Sequence, residues 1–152
     1  MKKSAPRTHI LPWNRLTPMQ VYELLRLRAE VFVKGQNCTC IDPDGKDPLA
    51  WHMLLHEGDE LIGYARLFPP DVYKLGATAF GRVAVRKPWR GKGFGKHITR
   101  QSIDFLKTLY PDYPIVISAQ QYLEKFYRDA GFQTVSEPYL EENMWHVRMR
   151  YD

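Results

Sequence analysis

The sequence predicts a mixed α/β fold in one domain spanning residues 1–152. Short apolar or alternating runs typical of strands are interspersed with segments that have apolar residues at helical spacing. Between residues 80 and 106 a strand, a glycine-rich turn and a helix follow one another, an order that favours anion binding. At 152 residues the chain is long enough to bury one core. These features predict a mixed sheet with helices on both faces.

The composition is that of an ordinary globular protein, with 44% hydrophobic and 26% charged residues. The net charge of +5 favours anionic ligands, but no nucleic-acid motif accompanies it, so we expect no nucleic-acid partner. No apolar stretch approaches the roughly 20 residues that span a membrane, and no membrane partner is expected. The basic start Met1-Lys2-Lys3 is not followed by an apolar segment before Pro12, which excludes a signal peptide and predicts a cytoplasmic protein.

Two cysteines and two nearby histidines do not make a metal site. Cys38 and Cys40 are too close together for a disulfide framework, and a pair alone cannot hold zinc. His52 and His56 lack the spacing of a standard ligand pair. We predict free thiols and no metal.

The first third of the chain predicts a tail, a strand and a helix. Residues 1–8 are expected to be flexible, and His9 to Trp13 to form a short edge strand. Thr17, Pro18 and Gln20 then form a helix start with an N-cap, a first-turn proline and a capping-box glutamine. The apolar face continues to about Val33.

Residues 35–48 have no periodicity and carry three aspartates, Asp42, Asp44 and Asp47, around Gly45. The pattern is similar to part of a calcium loop, but the later ligands of that loop are missing. A solvated turn with side-chain-to-backbone hydrogen bonds is the favoured interpretation.

The remaining strands and helices are predicted from the alternation of apolar and polar residues and from the glycine and proline residues that end each element. We predict a hairpin of residues 50–56 and 60–68, strands at 80–85, 115–119, 132–135 and 143–151, and helices at 95–109 and 122–130.

The glycine-rich turn is the strongest candidate for a binding site. Gly91, Gly93 and Gly95 leave the backbone bare beside the free N–H groups of a helix start, and Arg90, Lys92 and Lys96 add positive charge. The spacing fits neither the dinucleotide fingerprint nor the P-loop. The expected ligand is a phosphate or pyrophosphate.

Three blocks of sequence resemble the GNAT-type N-acetyltransferases. Arg90-x-x-Gly93-x-Gly95 matches that superfamily's phosphate signature, and the Tyr127-x-x-x-Gly131-Phe132 block matches a later one. Residues 27–47 are similar to the ElaA-like branch. One departure is Gly35, where that branch is expected to have Glu.

The resemblance implies a twisted, mostly antiparallel sheet of six to seven strands whose central strands splay apart. Acetyl-CoA would lie in that gap, with pantetheine along the strand 83–85, the pyrophosphate on the glycine turn and Gln120 as a further contact. The implied cofactor residues are Val83, Ala84, Val85, Arg90, Gly91, Lys92, Gly93, Phe94, Gly95, Lys96 and Gln120.

The implied activity is an acetyl-CoA-dependent N-acetyltransferase acting on a primary amine of a small molecule or protein. Tyr127 resembles the family's general acid. Glu30, His52 and His146 are candidates for the general base. A non-catalytic acyl-CoA-binding sensor and a different acyl chain remain alternatives, and the protein is expected to be a monomer or homodimer.

Three further charged residues are candidates for contacts with the acceptor. Glu141 and Glu142 lie in a loop suited to recognising a cationic acceptor. Arg82 interrupts an apolar strand, which predicts a structural ion pair or an acceptor contact.

Overall fold

The structure is a computed structural model that describes residues 5–36 and 41–152. Cys38 and Cys40 lie outside the described residues. The strands are β1 Arg7–Pro12, β2 Trp51–Glu57, β3 Glu60–Phe68, β4 Ala79–Val85, β5 Ile115–Gln120, β6 Gln133–Thr134, β7 Tyr139–Glu141 and β8 Met144–Tyr151. The α-helices are α1 Pro18–Arg28, α2 Phe94–Leu109 and α3 Glu124–Asp129. None of the helices in these ranges is long and apolar enough to cross a membrane.

The strands form two antiparallel sheets. The first has the order β1-β2-β3-β4, and in the second β8 pairs with β5, β6 and β7. The predicted mixed fold with a mostly antiparallel sheet is confirmed, with eight described strands instead of six to seven. The additional strand, β7, has only three residues, too few for a pattern of alternation to reveal it.

Helices cover both faces of the first sheet, as predicted. On one face α1 packs Leu24 and Leu27 against Leu54 and Tyr64. On the other face α2 packs Ile98, Ile103 and Leu106 into the larger core, which also includes residues of β5 and β8. The first sheet therefore has an α1 side and an α2 side.

The start of α1 is as predicted, but its end is not. Thr17 accepts a hydrogen bond from the Gln20 N–H, and Gln20 accepts one from the Thr17 N–H, which completes the capping box. The helix widens into a π-helical segment at Ala29–Lys34. At the chain start, β1 begins at Arg7, so the predicted tail of residues 1–8 is two residues too long.

The expectation of a solvated aspartate turn is wrong. Arg28, which is fully buried, donates to Asp42 and Asp47 at 2.8 and 2.7 Å. Arg66 donates to Asp44 and Asp47 at 2.8 and 2.9 Å. Among the described residues, the bond from the Lys46 N–H to Asp44 is the one that belongs to the predicted turn. The carboxylates fasten this segment to α1 and β3.

Candidate active site

The two sheets touch at one end and separate along β4 and β5. The Val116 N–H donates to the Thr78 carbonyl at 2.8 Å, and Thr78 and Ile115 form a parallel bridge. Beyond that bridge, no hydrogen bond among the described residues joins β4 to β5: β4 pairs with β3, and β5 with β8. The strand edges therefore diverge and leave backbone groups available to a ligand.

A bulge in β4 lies beside this gap. Tyr64 pairs with Ala84 and Arg66 with Gly81, so two residues of β4 lie opposite one of β3. One of them, Arg82, has a left-handed φ of 50°, which is unusual for a residue with a side chain. Asp42 accepts a hydrogen bond from Arg82 Nε at 2.9 Å and holds it there. Of the two predicted roles for Arg82, the structural ion pair is present.

The glycine turn after β4 presents an open array of N–H groups. No described residue accepts a hydrogen bond from the backbone N–H groups of residues 91–96. Gly91 and Gly93 have left-handed φ values of 77° and 86°, and a Cβ at either would meet no atom within 4 Å. Arg90 Nε donates back to the Val85 carbonyl at 2.9 Å, which ties the turn to β4. Six unbonded N–H groups at the start of α2 suit the phosphates of a CoA thioester.

Val83, Ala84 and Val85 lie on the β4 side of the gap. Arg86, the next residue, donates its N–H to Ile62 of β3. Because successive residues of a strand direct their backbone groups to opposite sides, the Val85 N–H and carbonyl point toward the gap. Gln120 ends β5 on the other side and lies 3.4 Å from Gln36.

Tyr127 of α3 lies in the core next to the gap. It is buried at 7% exposure, and its ring packs against those of Phe80, Phe126 and Phe132. No described residue forms a hydrogen bond with its hydroxyl. Burial, with a smaller contribution from Tyr122, raises the pKa of Tyr127 to about 12. The hydroxyl is therefore protonated near neutral pH and able to donate a proton.

The three base candidates lie in different environments. His52 is fully buried: its Nε2 donates to the Asp47 carbonyl at 2.8 Å, so Nδ1 accepts from the Tyr64 hydroxyl at 2.7 Å. Burial lowers the pKa of His52. Both ring nitrogens of His52 are thus engaged in hydrogen bonds within the core, and neither is directed to the gap.

The carboxylate of Glu30 is paired with arginine side chains. It accepts two hydrogen bonds from Arg86 Nη1, at 2.9 and 3.2 Å, and lies 3.4 Å from Arg26. This arrangement is a surface ion pair at the end of β4.

His146 lies on the α1 side of β8, opposite Gln120 of β5. Its Nδ1 donates to the Met144 carbonyl at 2.8 Å, and its Nε2 lies 3.3 Å from a carboxylate oxygen of Glu141. Of the three candidates, it alone faces a carboxylate beside the gap without a neutralising arginine. Glu142, the other predicted acidic residue, lies in the turn after β7 with a φ of 50°.

Sequence reasoning missed four polar residues near His146: Tyr73, Ser118, Tyr139 and Arg148. Ser118 pairs with Arg148 across β5 and β8, and Tyr139 pairs with His146 across β7 and β8. The alternation of apolar and polar residues in β8 predicts that Arg148 lies on the polar face of the strand. It does not reveal whether that face borders solvent or a cleft. Tyr73 comes from the loop before β4, which carries no motif.

The chain is similar to known proteins over most of its length. The family described as acetyltransferase (GNAT) domain matches residues 46–152. A UPF0039 protein of Synechocystis is 38% identical over 139 residues, covering 90% of this chain and 89% of the relative. Protein ElaA of Escherichia coli is 36% identical over 138 residues, covering 90% of each chain.

Solved structures agree with this assignment. The crystal structure of Escherichia coli ElaA superposes with a TM-score of 0.91 at 34% identity, covering 97% of this chain and 100% of that one. An acyl-CoA N-acyltransferase from Pseudomonas aeruginosa superposes with a TM-score of 0.92 at 33% identity and the same coverage. The chain thus belongs to the GNAT acetyltransferase family, in its ElaA-like branch.

Proposed function

We propose that this protein transfers an acetyl group from acetyl-CoA to a primary amine. Membership of the GNAT family supports the coarser activity, an acyl-CoA-dependent N-acyltransferase. The observation that carries the proposal is the edge of β4 that pairs with no described strand, followed after residues 86–90 by six N–H groups at residues 91–96 that donate to no described residue. An extended amide-containing arm ending in a pyrophosphate matches both features.

Acetyl-CoA supplies the activated acyl group, and the chain supplies proton transfer and orientation. Tyr127 is the general acid: its hydroxyl gives a proton to the sulfur as the carbon–sulfur bond breaks. The proton released by the amine passes to the base and then to solvent, and Tyr127 regains one from solvent. His146 is the base that the surrounding contacts favour, because its Nδ1 donates to the Met144 carbonyl and its Nε2 lies beside the Glu141 carboxylate at the gap. We further expect the protein to work in the cytoplasm.

A Tyr127→Phe variant tests the general acid. We expect kcat to fall at least tenfold, because the thiolate then leaves without a proton, while the affinity for acetyl-CoA stays the same. The measurement is thiol release from acetyl-CoA with an amine that the wild-type protein accepts.

Tyr22→Phe is the matched control, since Tyr22 is 59% exposed on α1. Wild-type turnover in the Tyr127 variant would remove this residue as the acid. Tight binding of acetyl-CoA without acetylation of any amine would favour a non-catalytic sensor.

A further inference from the structure

Arg148 is a half-buried arginine without a carboxylate partner. Its Cζ lies 5.9 Å from the ring centroid of Tyr73 and 5.8 Å from that of Tyr139. It forms no ion pair with any described residue, and residues 1–4 and 37–40 contain no Asp or Glu. Most buried guanidinium groups are paired, as Arg28 and Arg66 are here. The guanidinium of Arg148 thus has donors available for an anion.

This arginine lies beside the gap on its α1 side. In β5 and β8 the neighbours Ile117 and Val147 face the α2 core, so Ser118 and Arg148 face the opposite way. Counted from the Thr78–Ile115 bridge, Gly81 and Ser118 are each three residues along their diverging strands. Phe80 faces the α2 core, so Gly81 faces the α1 side, where its Cβ would meet no atom within 4 Å. The α1 face of β4 is therefore open at Gly81.

The negatively charged carboxylate of Glu141 lies on the same face as Arg148. Glu141 accepts a hydrogen bond from Ser118 Oγ at 3.1 Å and lies 3.3 Å from His146 Nε2. Because Nδ1 of His146 donates to a carbonyl, a neutral His146 presents its Nε2 lone pair beside this carboxylate. Two acceptors side by side attract a cationic donor such as an ammonium group.

The charged groups of Arg148 and Glu141 lie near each other but are not paired. Arg148 and Glu141 form no ion pair with each other, although both lie next to Tyr139. The Tyr139 ring contacts Arg148 at 5.8 Å and stacks on His146 at 6.1 Å. A cation and an anion that both lie near one ring without pairing are complementary to a ligand that carries both charges.

We propose that the acceptor is a small aminocarboxylate, such as a free amino acid, whose carboxylate binds Arg148 and whose amine binds between Glu141 and His146. A guanidinium fork binds a carboxylate through two parallel hydrogen bonds. The ammonium proton passes to His146 Nε2, which leaves the neutral amine that attacks the thioester. This inference rests on the proposed acetyltransferase function and narrows its substrate class.

The test compares amino acids with the amines that differ only by loss of the carboxylate. The pairs are L-leucine with 3-methylbutylamine, L-phenylalanine with phenethylamine and L-lysine with cadaverine, each with saturating acetyl-CoA. We expect kcat/KM for at least one amino acid to exceed that of its amine at least tenfold. Arg148→Gln should raise the KM of that amino acid at least tenfold and leave the KM of acetyl-CoA unchanged.

Arg150→Gln is the matched control, because Arg150 lies two residues along the same strand, is exposed and pairs with Asp152. It should retain the preference for the amino acid. If Arg148→Gln does not fold, Gly81→Val serves instead: its Cβ would meet no atom within 4 Å, and its side chain should reduce turnover of the amino acid while acetyl-CoA still binds.

Each outcome decides between the two proposals. Preferred turnover of the amines, or an unchanged preference in Arg148→Gln, overturns the aminocarboxylate inference and leaves the acetyltransferase standing. Turnover of neither series while acetyl-CoA binds contradicts the inference. Failure to bind acetyl-CoA overturns the proposed function itself.

Discussion

At the scale of single residues, the most consequential feature is the network of buried charges around Asp47. This carboxylate is 5% exposed and accepts hydrogen bonds from both Arg28 and Arg66. Burial alone would raise the pKa of Asp47, but the two arginines outweigh it and lower that pKa. Its ionised form therefore stabilises the folded state. Through Asp42, the same network reaches Arg82 and fixes the β4 bulge beside the gap.

Asp47→Asn should destabilise the protein at neutral pH by about 3–5 kcal/mol, because it breaks a buried ion pair and leaves arginine charge in the core. It should also change the response to acid. An unfolded Asp titrates near pH 3.9, whereas folded Asp47 titrates lower. The free energy of unfolding that ionised Asp47 contributes to the wild-type protein is thus present above about pH 4 and is lost as the pH falls below that value.

Urea unfolding between about pH 3 and 7 measures both effects. Asp104→Asn is the control, because Asp104 is exposed on α2 and the structure describes no ion pair for it. The account of the network fails if Asp47→Asn and the wild-type protein show parallel profiles of stability against pH.

Individual residues also show what the sequence could not predict. The odd position of Arg82 in an apolar strand was visible and indicated an ion pair. Its partner Asp42 is 40 residues away, and Arg28 and Arg66 lie 14 or more residues from their aspartates. Local spacing carries no information about such pairs. For the same reason His52 resembled a base, although its neighbours make it a core residue.

At the scale of elements, local signals were reliable and long-range ones were not. The capping box of α1 and the glycine turn before α2 depend on a few adjacent residues, so they could be predicted. The π-helical segment after α1 and the short β7 depend on packing and on pairing with β8, so they could not.

The glycine turn gives a prediction at this scale. Gly93→Ala adds a methyl group to the open side of the turn, next to the proposed phosphate site, and should weaken CoA binding at least tenfold. Gly76→Ala is a matched control: its φ of 78° imposes a similar backbone strain, and its Cβ also meets no atom within 4 Å. Both variants should lose about 1 kcal/mol of stability.

Isothermal titration calorimetry with CoA distinguishes the effect of backbone strain from the loss of a contact with the phosphates. Only Gly93→Ala should bind more weakly. Equal affinities in the two variants would mean that residues 91–96 do not hold the phosphates.

At the scale of the molecule, the proposed function depends on two sheets that touch at Thr78 and then diverge. One edge of the gap continues into residues 91–96, whose N–H groups donate to no described residue, and the α1 side holds the opposite charges of Arg148 and Glu141. The α2 side contributes Tyr127. The fold class, the glycine turn and the place of Tyr127 could be predicted from motifs. The proposed acceptor face could not, because it assembles residues from four separate segments.

The central claim is that this gap binds acetyl-CoA, and thermal unfolding with and without it tests that claim most directly. A ligand at 100 times its dissociation constant adds about 2.7 kcal/mol. For a domain of this size that corresponds to an increase in Tm of about 5–10 °C. We predict such an increase with acetyl-CoA and with CoA, and none with NAD. An unchanged Tm with acetyl-CoA at millimolar concentration, or an equal increase with NAD, would contradict the account.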